Sequence, residues 1–340
     1  MDSLTVDSLV RPAPTLITGG SGFVGSAIVR AFVTAGYPVR VLIRNTSPHD
    51  NLSGLDVECI EGDARDADAV ARALTGIRYV VHTAADYRLW ARDPGEILRN
   101  NSLMTQVMVK AAQRSKVERM VYTSSVATLA PFGDGTAADE ARRSTQAAAI
   151  GAYKCSKVAS EHAVESAVKD GLPAIIVHPT APIGPRDIKP TPTGRIIIEA
   201  GMGRMPAYVD TGLNLVHVDD VAAGHLAALN RGTIGERYIL GGQNATLAEM
   251  LREIAKVMGK RGPLLRLPRR LLFPLAAAAE MVARRTGREP FITLDGLRMA
   301  KYRMFFSSAK AERELGFRAR PYAEALRDAI EWFFKAGYMK

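Results

Sequence analysis

The sequence has little that would crosslink the chain or carry it through a membrane. Only Cys59 and Cys155 are cysteines among 340 residues, which excludes a disulfide framework and favours a reducing compartment. No apolar run reaches the roughly 18–20 residues of a membrane span. Residues 1–14 lack the charged start and apolar stretch of a signal peptide. We interpret them as a flexible tail of a cytoplasmic protein.

Metal-binding and nucleic-acid-binding patterns are also missing. The six histidines show no zinc-ligand spacing, so no metal is expected. The net charge of +10 is uneven, because Lys260 to Arg320 hold 15 of the 45 basic but 5 of the 35 acidic residues. No recognition motif accompanies this excess, so we expect no nucleic-acid partner. A solvated face, acidic substrate groups and anionic lipid remain open as its role.

Short apolar runs alternate with helical patterns along the first half of the chain. This alternation is typical of an α/β protein with a Rossmann-type, doubly wound parallel sheet. The predicted strands include Thr15–Thr18, Val39–Ile43, Val57–Ile60, Tyr79–His82, Met120–Thr123 and Ala174–Val177.

The alternation weakens after His178, where proline and glycine become more frequent. We therefore assign residues 15–178 to the Rossmann domain and residues 179–340 mainly to a smaller substrate-binding lobe. The chain is expected to return to the sheet near residues 213–240, at Leu215–Val218 and Arg237–Leu240.

A glycine-rich loop follows the first strand and opens a helix. Gly19, Gly22 and Gly25, with Phe23 and Val24 between the last two, fit the dinucleotide-binding pattern. Glycine allows the tight turn and the close approach of backbone to a pyrophosphate, and the helix N-terminus faces the anion. The context of strand, loop and amphipathic helix favours an NAD(P) site over an ordinary turn.

The end of the second strand indicates which cofactor is bound. An acidic residue there would hold a ribose 2′-hydroxyl, whereas an arginine accepts a 2′-phosphate. This chain has Arg44, with Arg40 nearby and no acidic residue between Arg40 and Pro48. NADP(H) is therefore favoured and NAD(H) stays possible. Asp63, after the third strand, could accept from the adenine amino group or cap the next helix.

Tyr153 and Lys157 lie four residues apart, on one face of a predicted helix. A lysine ammonium beside a tyrosine stabilises the phenolate and moves its pKa from about 10 towards neutral pH. Such a tyrosine can act as acid or base in hydride-transfer chemistry. Ser124 and Ser125 follow the fifth strand, where a hydroxyl can donate to a carbonyl oxygen as its charge grows.

The order of glycine loop, serine pair and Tyr-x-x-x-Lys resembles the extended short-chain dehydrogenase/reductases over nearly the whole chain. The resemblance implies that Ser125, Tyr153 and Lys157 are catalytic and that the helix residue Asn101 supports the proton relay. The cofactor contacts then implied, beyond the loop, are Arg44, Asp63, Ala64, Ala84, Ala85, Thr123, Tyr153, Lys157, Pro179 and Thr180.

Within that family, the segments 84–90 and 180–194 resemble the hopanoid-associated sugar epimerases and the similar dihydroflavonol 4-reductases. Asp86, Tyr87, Ser125 and Arg186 are the expected substrate contacts. Residues 180–185 depart from the turn usual in nucleotide-sugar epimerases. The substrate is expected to be a small or lipid-linked molecule with a sugar-like or polyol group, within hopanoid lipid biosynthesis.

Three functions remain open. The first is an NADP(H)-dependent reductase, which Arg44 favours because reductases exchange their cofactor with the NADPH pool. The second is an epimerase or dehydratase that retains its cofactor. The third is a dinucleotide-sensing regulator without catalysis, which the intact Tyr153 and Lys157 disfavour.

Residues 266–288 combine a short apolar stretch with six arginines. The stretch resembles an interfacial anchor for peripheral membrane contact, but a helix packed on the substrate lobe fits it as well. The family resemblance further implies a homodimer, formed through the helices Leu98–Ser115 and Tyr153–Lys169.

Overall fold

The computed structural model describes residues 10–262 and 265–340. Its strands are β1 Thr15–Thr18, β2 Val39–Ile43, β3 Glu58–Glu61, β4 Tyr79–His82, β5 Arg119–Thr123, β6 Ala174–Pro179, β7 Ala181–Ile183, β8 Ala207–Tyr208, β9 Gly212–His217, β10 Arg237–Leu240, β11 Gln243–Thr246, β12 Leu265–Arg266 and β13 Arg303–Met304.

Eleven α-helices lie within the described residues. They are α1 Phe23–Thr34, α2 Ala67–Leu74, α3 Pro94–Arg114, α4 Gly151–Lys169, α5 Pro192–Gly201, α6 Val218–Arg231, α7 Leu247–Val257, α8 Phe273–Thr286, α9 Leu294–Met299, α10 Ala309–Leu315 and α11 Tyr322–Lys335. Short 3₁₀ turns occur at Asp50–Leu52, Val126–Thr128 and Arg269–Leu272.

Seven parallel strands form the main sheet, in the order β3-β2-β1-β4-β5-β6-β10. Strands β1, β4 and β6 are buried along their whole length, as expected for strands covered on both faces. Helices α1 and α6 pack on one face around Phe32 and Leu229. Helices α2, α3 and α4 cover the other face around Met108 and Val164. The predicted doubly wound α/β sheet is confirmed.

A second, smaller sheet carries the C-terminal lobe. Strand β9 pairs with β7, β11 and β13, and helices α5, α7 and α11 pack behind it. The core of this lobe is apolar, with Ile197, Ile254 and Phe333 buried at its centre.

The expected return of the chain to the main sheet near Leu215–Val218 is wrong, because β9 belongs to the second sheet. Leu215 packs into the lobe core, whereas its neighbour Val216 packs into the main core. The strand therefore lies at the junction of both cores. Its apolar pattern is the same as that of a buried strand of the main sheet, which is why the sequence did not distinguish the two. At the edge of the main sheet, β10 pairs with β6.

Glu161 connects α4 to the ends of neighbouring strands. Its carboxylate accepts hydrogen bonds from the Ser124 hydroxyl and, at 3.0 Å, from Nε2 of His178. The Arg237 guanidinium lies 3.4 Å away. Burial raises the carboxyl pKa, but His178 and the hydrogen bond from Ser124 outweigh it and lower the pKa. Helix α4 is thereby held against β5, β6 and β10.

The change Glu161→Gln should destabilise the protein by about 1–3 kcal/mol at neutral pH, because hydrogen bonds to a buried charge are lost. A carboxyl with a depressed folded-state pKa adds stability above its unfolded pKa, near 4.5, and loses it as pH falls through the folded value. The difference between wild type and E161Q in urea unfolding should therefore shrink below pH 4.5.

The matched control is Glu118→Gln, which removes an exposed partner of Arg78 and should change stability little. An E161Q protein as stable as wild type at neutral pH would contradict the anchoring role of Glu161.

Candidate active site

A cavity of about 1020 Å³ opens between the carboxyl ends of the main-sheet strands and the C-terminal lobe. Ligands of open α/β sheets bind at this edge. All of the predicted cofactor residues line the cavity, namely Gly19, Gly22, Phe23, Val24, Gly25, Arg44, Asp63, Ala64, Ala84, Ala85, Thr123, Tyr153, Lys157, Pro179 and Thr180.

The glycine loop leaves room for backbone alone. Gly19 has a φ of +71°, and a Cβ there would lie 2.8 Å from the backbone nitrogen of Ala84. A Cβ on Gly25 would collide with the carbonyl of Gly19. Helix α1 begins directly after Gly22, so the free amides of its first turn lie at this loop. These features fit a dinucleotide, whose pyrophosphate this loop would hold.

Two arginines line the cavity near the carboxyl ends of β2 and β3. Arg44 is exposed at the end of β2 and forms no ion pair with any residue of the described ranges. Arg65 pairs with Asp63 at 2.7 Å and donates to Asn100 at 3.0 Å. The hydrogen bonds from Arg65 lower the pKa of Asp63.

Two sequence-based expectations change at this end. Asp63 does not cap α2, because Asp66 accepts the amides at the start of that helix. Arg40 faces away from the cavity, where Glu58 and the carbonyls of Ala73 and Thr75 hold it. Sequence reasoning missed Arg65, although its position two residues after Asp63 is a local signal.

Tyr153 and Ser125 lie together in the middle of the cavity wall. Burial raises the pKa of Tyr153, and hydrogen bonding with the Ser125 side chain lowers it. Ser125 caps the turn after β5 by accepting from the amide of Ala127 at 3.1 Å. The neighbouring hydroxyl of Ser124 is buried and donates to Glu161. Ser125 is therefore the serine with a hydroxyl available to a ligand.

Lys157 does not have Tyr153 as its hydrogen-bond partner, although the sequence led us to expect this. Its ammonium donates to the carbonyl of Thr123 at 2.7 Å and to the Tyr122 hydroxyl at 3.4 Å. Burial lowers the pKa of Lys157 to about 8. The pKa of Tyr153 is therefore raised by burial, with only the hydrogen bond to Ser125 opposing this effect, and the expected lowering by Lys157 is not seen. The Thr123 carbonyl holds the Lys157 ammonium instead.

Asn101 is not among the described residues that line the cavity. Its side chain donates to the Asp86 carbonyl at 2.9 Å and to the Ser156 hydroxyl at 2.8 Å, and it accepts from the Asp86 amide at 2.6 Å. These contacts hold Asn101 behind the cavity wall, so its expected role in the proton relay stays a prediction. Asn101 fixes the loop after β4.

The predicted substrate contacts divide into two groups. Asp86, Tyr87 and Ser125 line the cavity. The Asp86 carboxylate is held by Arg88, with Nε at 2.9 Å, and the Tyr87 hydroxyl donates to the Lys189 carbonyl at 3.4 Å.

Arg186 is not among the described residues that line the cavity, so this structure does not bring it together with the other predicted substrate contacts. The turn through Gly184 and Pro185 gives Arg186 a φ of +76° and directs its guanidinium to Asp219, in the first turn of α6. An arginine in a loop after a strand has no local signal that distinguishes these two directions.

The lobe side of the cavity, lined by residues from 188–196, 211–214 and 296–306, is mainly apolar. Sequence reasoning missed it, because its residues come from three distant segments with no motif. Its apolar side chains include Ile188, Ile196, Leu213, Met299, Met304 and Phe306. Lys154, next to Tyr153, also faces this side, with Nζ 4.0 Å from Sδ of Met304.

Comparison with known proteins agrees with this geometry. A profile described as "NAD dependent epimerase/dehydratase family" matches residues 15–241, more than half of the chain. The chain belongs to this family. It is an extended short-chain dehydrogenase/reductase, and it is an NAD(P)-dependent oxidoreductase or epimerase, as the order of its motifs predicted.

Several known proteins are similar to this chain. The chain is 43% identical to a "Putative dihydroflavonol 4-reductase" of Synechocystis sp., over 95% of each sequence. It is 33% identical to "Sterol demethylase protein B" of Methylococcus capsulatus, over 95% of this chain and 99% of the other. The structure of a nucleoside-diphosphate-sugar epimerase from Pseudomonas aeruginosa covers 96% of this chain and 99% of that chain, with 27% identity and a TM-score of 0.80.

Proposed function

We propose that this enzyme is an NADPH-dependent reductase that transfers hydride to a carbonyl carbon of its substrate. The observation that carries the proposal is the position of Tyr153 and Ser125, side by side in one cavity with the glycine loop. The bound nicotinamide would supply the hydride.

Tyr153 would act as the acid. The ordinary pKa of a tyrosine is about 10 and burial raises that of Tyr153, so the phenol carries a proton at neutral pH that it can pass to the oxygen that gains negative charge. Ser125 would donate a hydrogen bond to the same oxygen. Lys157, held beneath them by the Thr123 carbonyl, would place a positive charge near the developing oxyanion. In the oxidative direction Tyr153 would accept the proton.

Arg44 supports NADP(H) as the cofactor. Its guanidinium lies at the cavity edge without a carboxylate partner among the described residues, which suits a ribose 2′-phosphate. A biosynthetic reductase draws on an exchangeable NADPH pool, whereas an epimerase keeps its cofactor. Arg44 thus favours the reductase over the epimerase.

The apolar lobe side supports a hydrophobic carbonyl compound as the substrate. The name of the relative "Sterol demethylase protein B" agrees with a polycyclic, lipid-like skeleton. The sugar-like or polyol group, the place in hopanoid biosynthesis and the homodimer through α3 and α4 stay predictions.

The change Tyr153→Phe should lower turnover at least about a hundredfold, because the proton donor is lost. NADPH affinity should stay within about threefold of wild type. The probe is a 3-oxo steroid, followed by the loss of NADPH absorbance. Wild type should consume one NADPH per alcohol formed. Interconversion of stereoisomers without net NADPH loss would establish the epimerase instead, and an unchanged Y153F rate would contradict the acid role.

The change Arg44→Gln should weaken NADPH binding about tenfold or more and leave NADH binding nearly unchanged, since only the 2′-phosphate meets the guanidinium. Titration of both cofactors by fluorescence measures the two constants. Arg40→Gln is the control, because Arg40 faces Glu58 outside the cavity. Equal losses for both cofactors in R44Q would argue against NADP(H) selection by this residue.

An amphipathic surface, formed by residues 265–291 and here called the arginine surface, supports peripheral membrane contact. Leu271, Leu275, Met281, Val282 and Phe291 are all more than half exposed. Helix α8 buries only Ala276 and Ala283. The positive charges next to these apolar side chains come from Arg270, Arg284, Arg285 and Arg288, which form no ion pair within the described ranges.

We infer that the arginine surface binds anionic lipid. The exposed apolar side chains would enter the headgroup region, and the arginines would attract acidic headgroups. Helix α9 packs against α8, and Met299 of α9 lines the cavity. A lipid-like substrate would therefore meet the protein near the cavity. No described helix is long and apolar enough to cross a membrane.

The double change L275E/V282E should reduce sedimentation with vesicles of phosphatidylglycerol and phosphatidylcholine about tenfold or more, because charge is placed where apolar contact is needed. Ile234→Glu, at an exposed apolar residue elsewhere, is the control. Wild type should not sediment with phosphatidylcholine alone. Absence of binding to anionic vesicles at low salt would refute the surface's role, as would self-association of wild type that the double change abolishes.

A further inference from the structure

More cationic than anionic side chains line the cavity. Six cations line it, against three carboxylates. All three carboxylates are engaged by arginines, because Asp63 pairs with Arg65, and Asp86 and Glu96 pair with Arg88. The remaining cations are Arg44, Lys154, Lys157 and Lys189.

Lys154 differs from the other three. Arg44 lies at the cofactor end, Lys189 is exposed to solvent, and Lys157 donates to the Thr123 carbonyl. The Lys154 ammonium has Sδ of Met304 as its hydrogen-bonding neighbour, at 4.0 Å, and no carboxylate lies within 4.0 Å in the described ranges. A thioether is a weak acceptor and compensates little of the lost hydration.

Burial lowers the pKa of Lys154 to about 8, and no neighbouring charge opposes this effect. Lys154 is half-buried, so its ammonium loses part of its hydration without gaining a counter-ion, and an arriving anion would recover that free energy. The space next to the ammonium belongs to the lobe side of the cavity, beyond Tyr153.

That anion is not supplied by the cofactor's phosphates. The pyrophosphate site lies at the glycine loop after β1, and the candidate 2′-phosphate site lies at Arg44 after β2. Lys154 instead meets Met304 of β13, which belongs to the second sheet. The counter-ion would therefore arrive with the substrate.

We propose that the substrate carries an anionic group, a carboxylate or a phosphate monoester, which pairs with Lys154 and orients the carbonyl towards Tyr153. The proposal rests on the proposed reductase function and narrows its substrate to amphipathic acids. An apolar skeleton would contact Ile196, Leu213 and Phe306, while the acid would neutralise the ammonium.

The test measures dissociation constants for the complex of the full-length protein with NADP⁺. The probes are 3-oxo steroids with a carboxylate on ring D or at the end of the side chain, each paired with its methyl ester. A 3-oxo steroid 17β-phosphate paired with its free alcohol distinguishes phosphate from carboxylate. Wild type should bind at least one anionic member about tenfold or more tightly than its neutral partner.

The advantage of the anion over its neutral partner should fall to within about twofold in Lys154→Met. It should persist in Lys154→Arg and in Lys189→Met, which removes an exposed lysine of the same cavity. If Lys154 had only a structural role, K154M would weaken binding of the anion and of its neutral partner equally, and the ratio of their dissociation constants would not change. No anion advantage in wild type, no binding of either member of any pair, or an advantage that survives K154M would overturn the proposal.

The reductase function and the anionic substrate can be refuted independently of each other. A wild-type enzyme that reduces esters and acids equally well, with turnover lost in Y153F, would keep the reductase and refute the anionic substrate. Turnover that survives in Y153F, together with an anion advantage that depends on Lys154, would remove the proposed acid and keep the anion site.

Discussion

The buried carboxylate of Glu161 is the interaction on which the geometry of the site depends. It joins α4 to the segment after β5 through Ser124 and to β6 itself through His178. One helical turn earlier, Lys157 donates to the Thr123 carbonyl, so the same helix face is held twice. Tyr153 lies one further turn towards the N-terminus, where α4 meets the cavity. These contacts anchor α4, and the anchored helix places the phenol beside Ser125.

The cavity has two chemically different sides. The loop side presents backbone amides, Arg44 and Arg65, which suit a phosphorylated dinucleotide. The lobe side presents apolar side chains around the half-buried ammonium of Lys154, which suits the proposed amphipathic acid. Tyr153 and Ser125 lie where these sides meet, so a carbonyl between them would face both the nicotinamide and the phenol.

The lobe and the sheet share β9, and this connection relates the substrate side to the cofactor side. Leu215 and Val216 are neighbours in sequence but pack into different cores. Relative movement of the lobe would therefore disturb the main core as well. The arginine surface lies on the lobe, and α9 connects it with the cavity wall. The exposed apolar side chains of α8 and the lobe side of the cavity are thus joined through a single short helix.

The sequence by itself determined the sheet, the glycine loop and the residues at strand ends, because each depends on a local pattern of a few neighbours. Gly19, Arg44, Ser125 and Tyr153 are of this kind. The tertiary structure alone decided the direction of Arg186, the partners of Asn101 and Lys157, and the sheet to which β9 belongs. These depend on residues tens to hundreds of positions away, such as Asp219 for Arg186, and burial and pairing at that range leave no periodic trace in the chain.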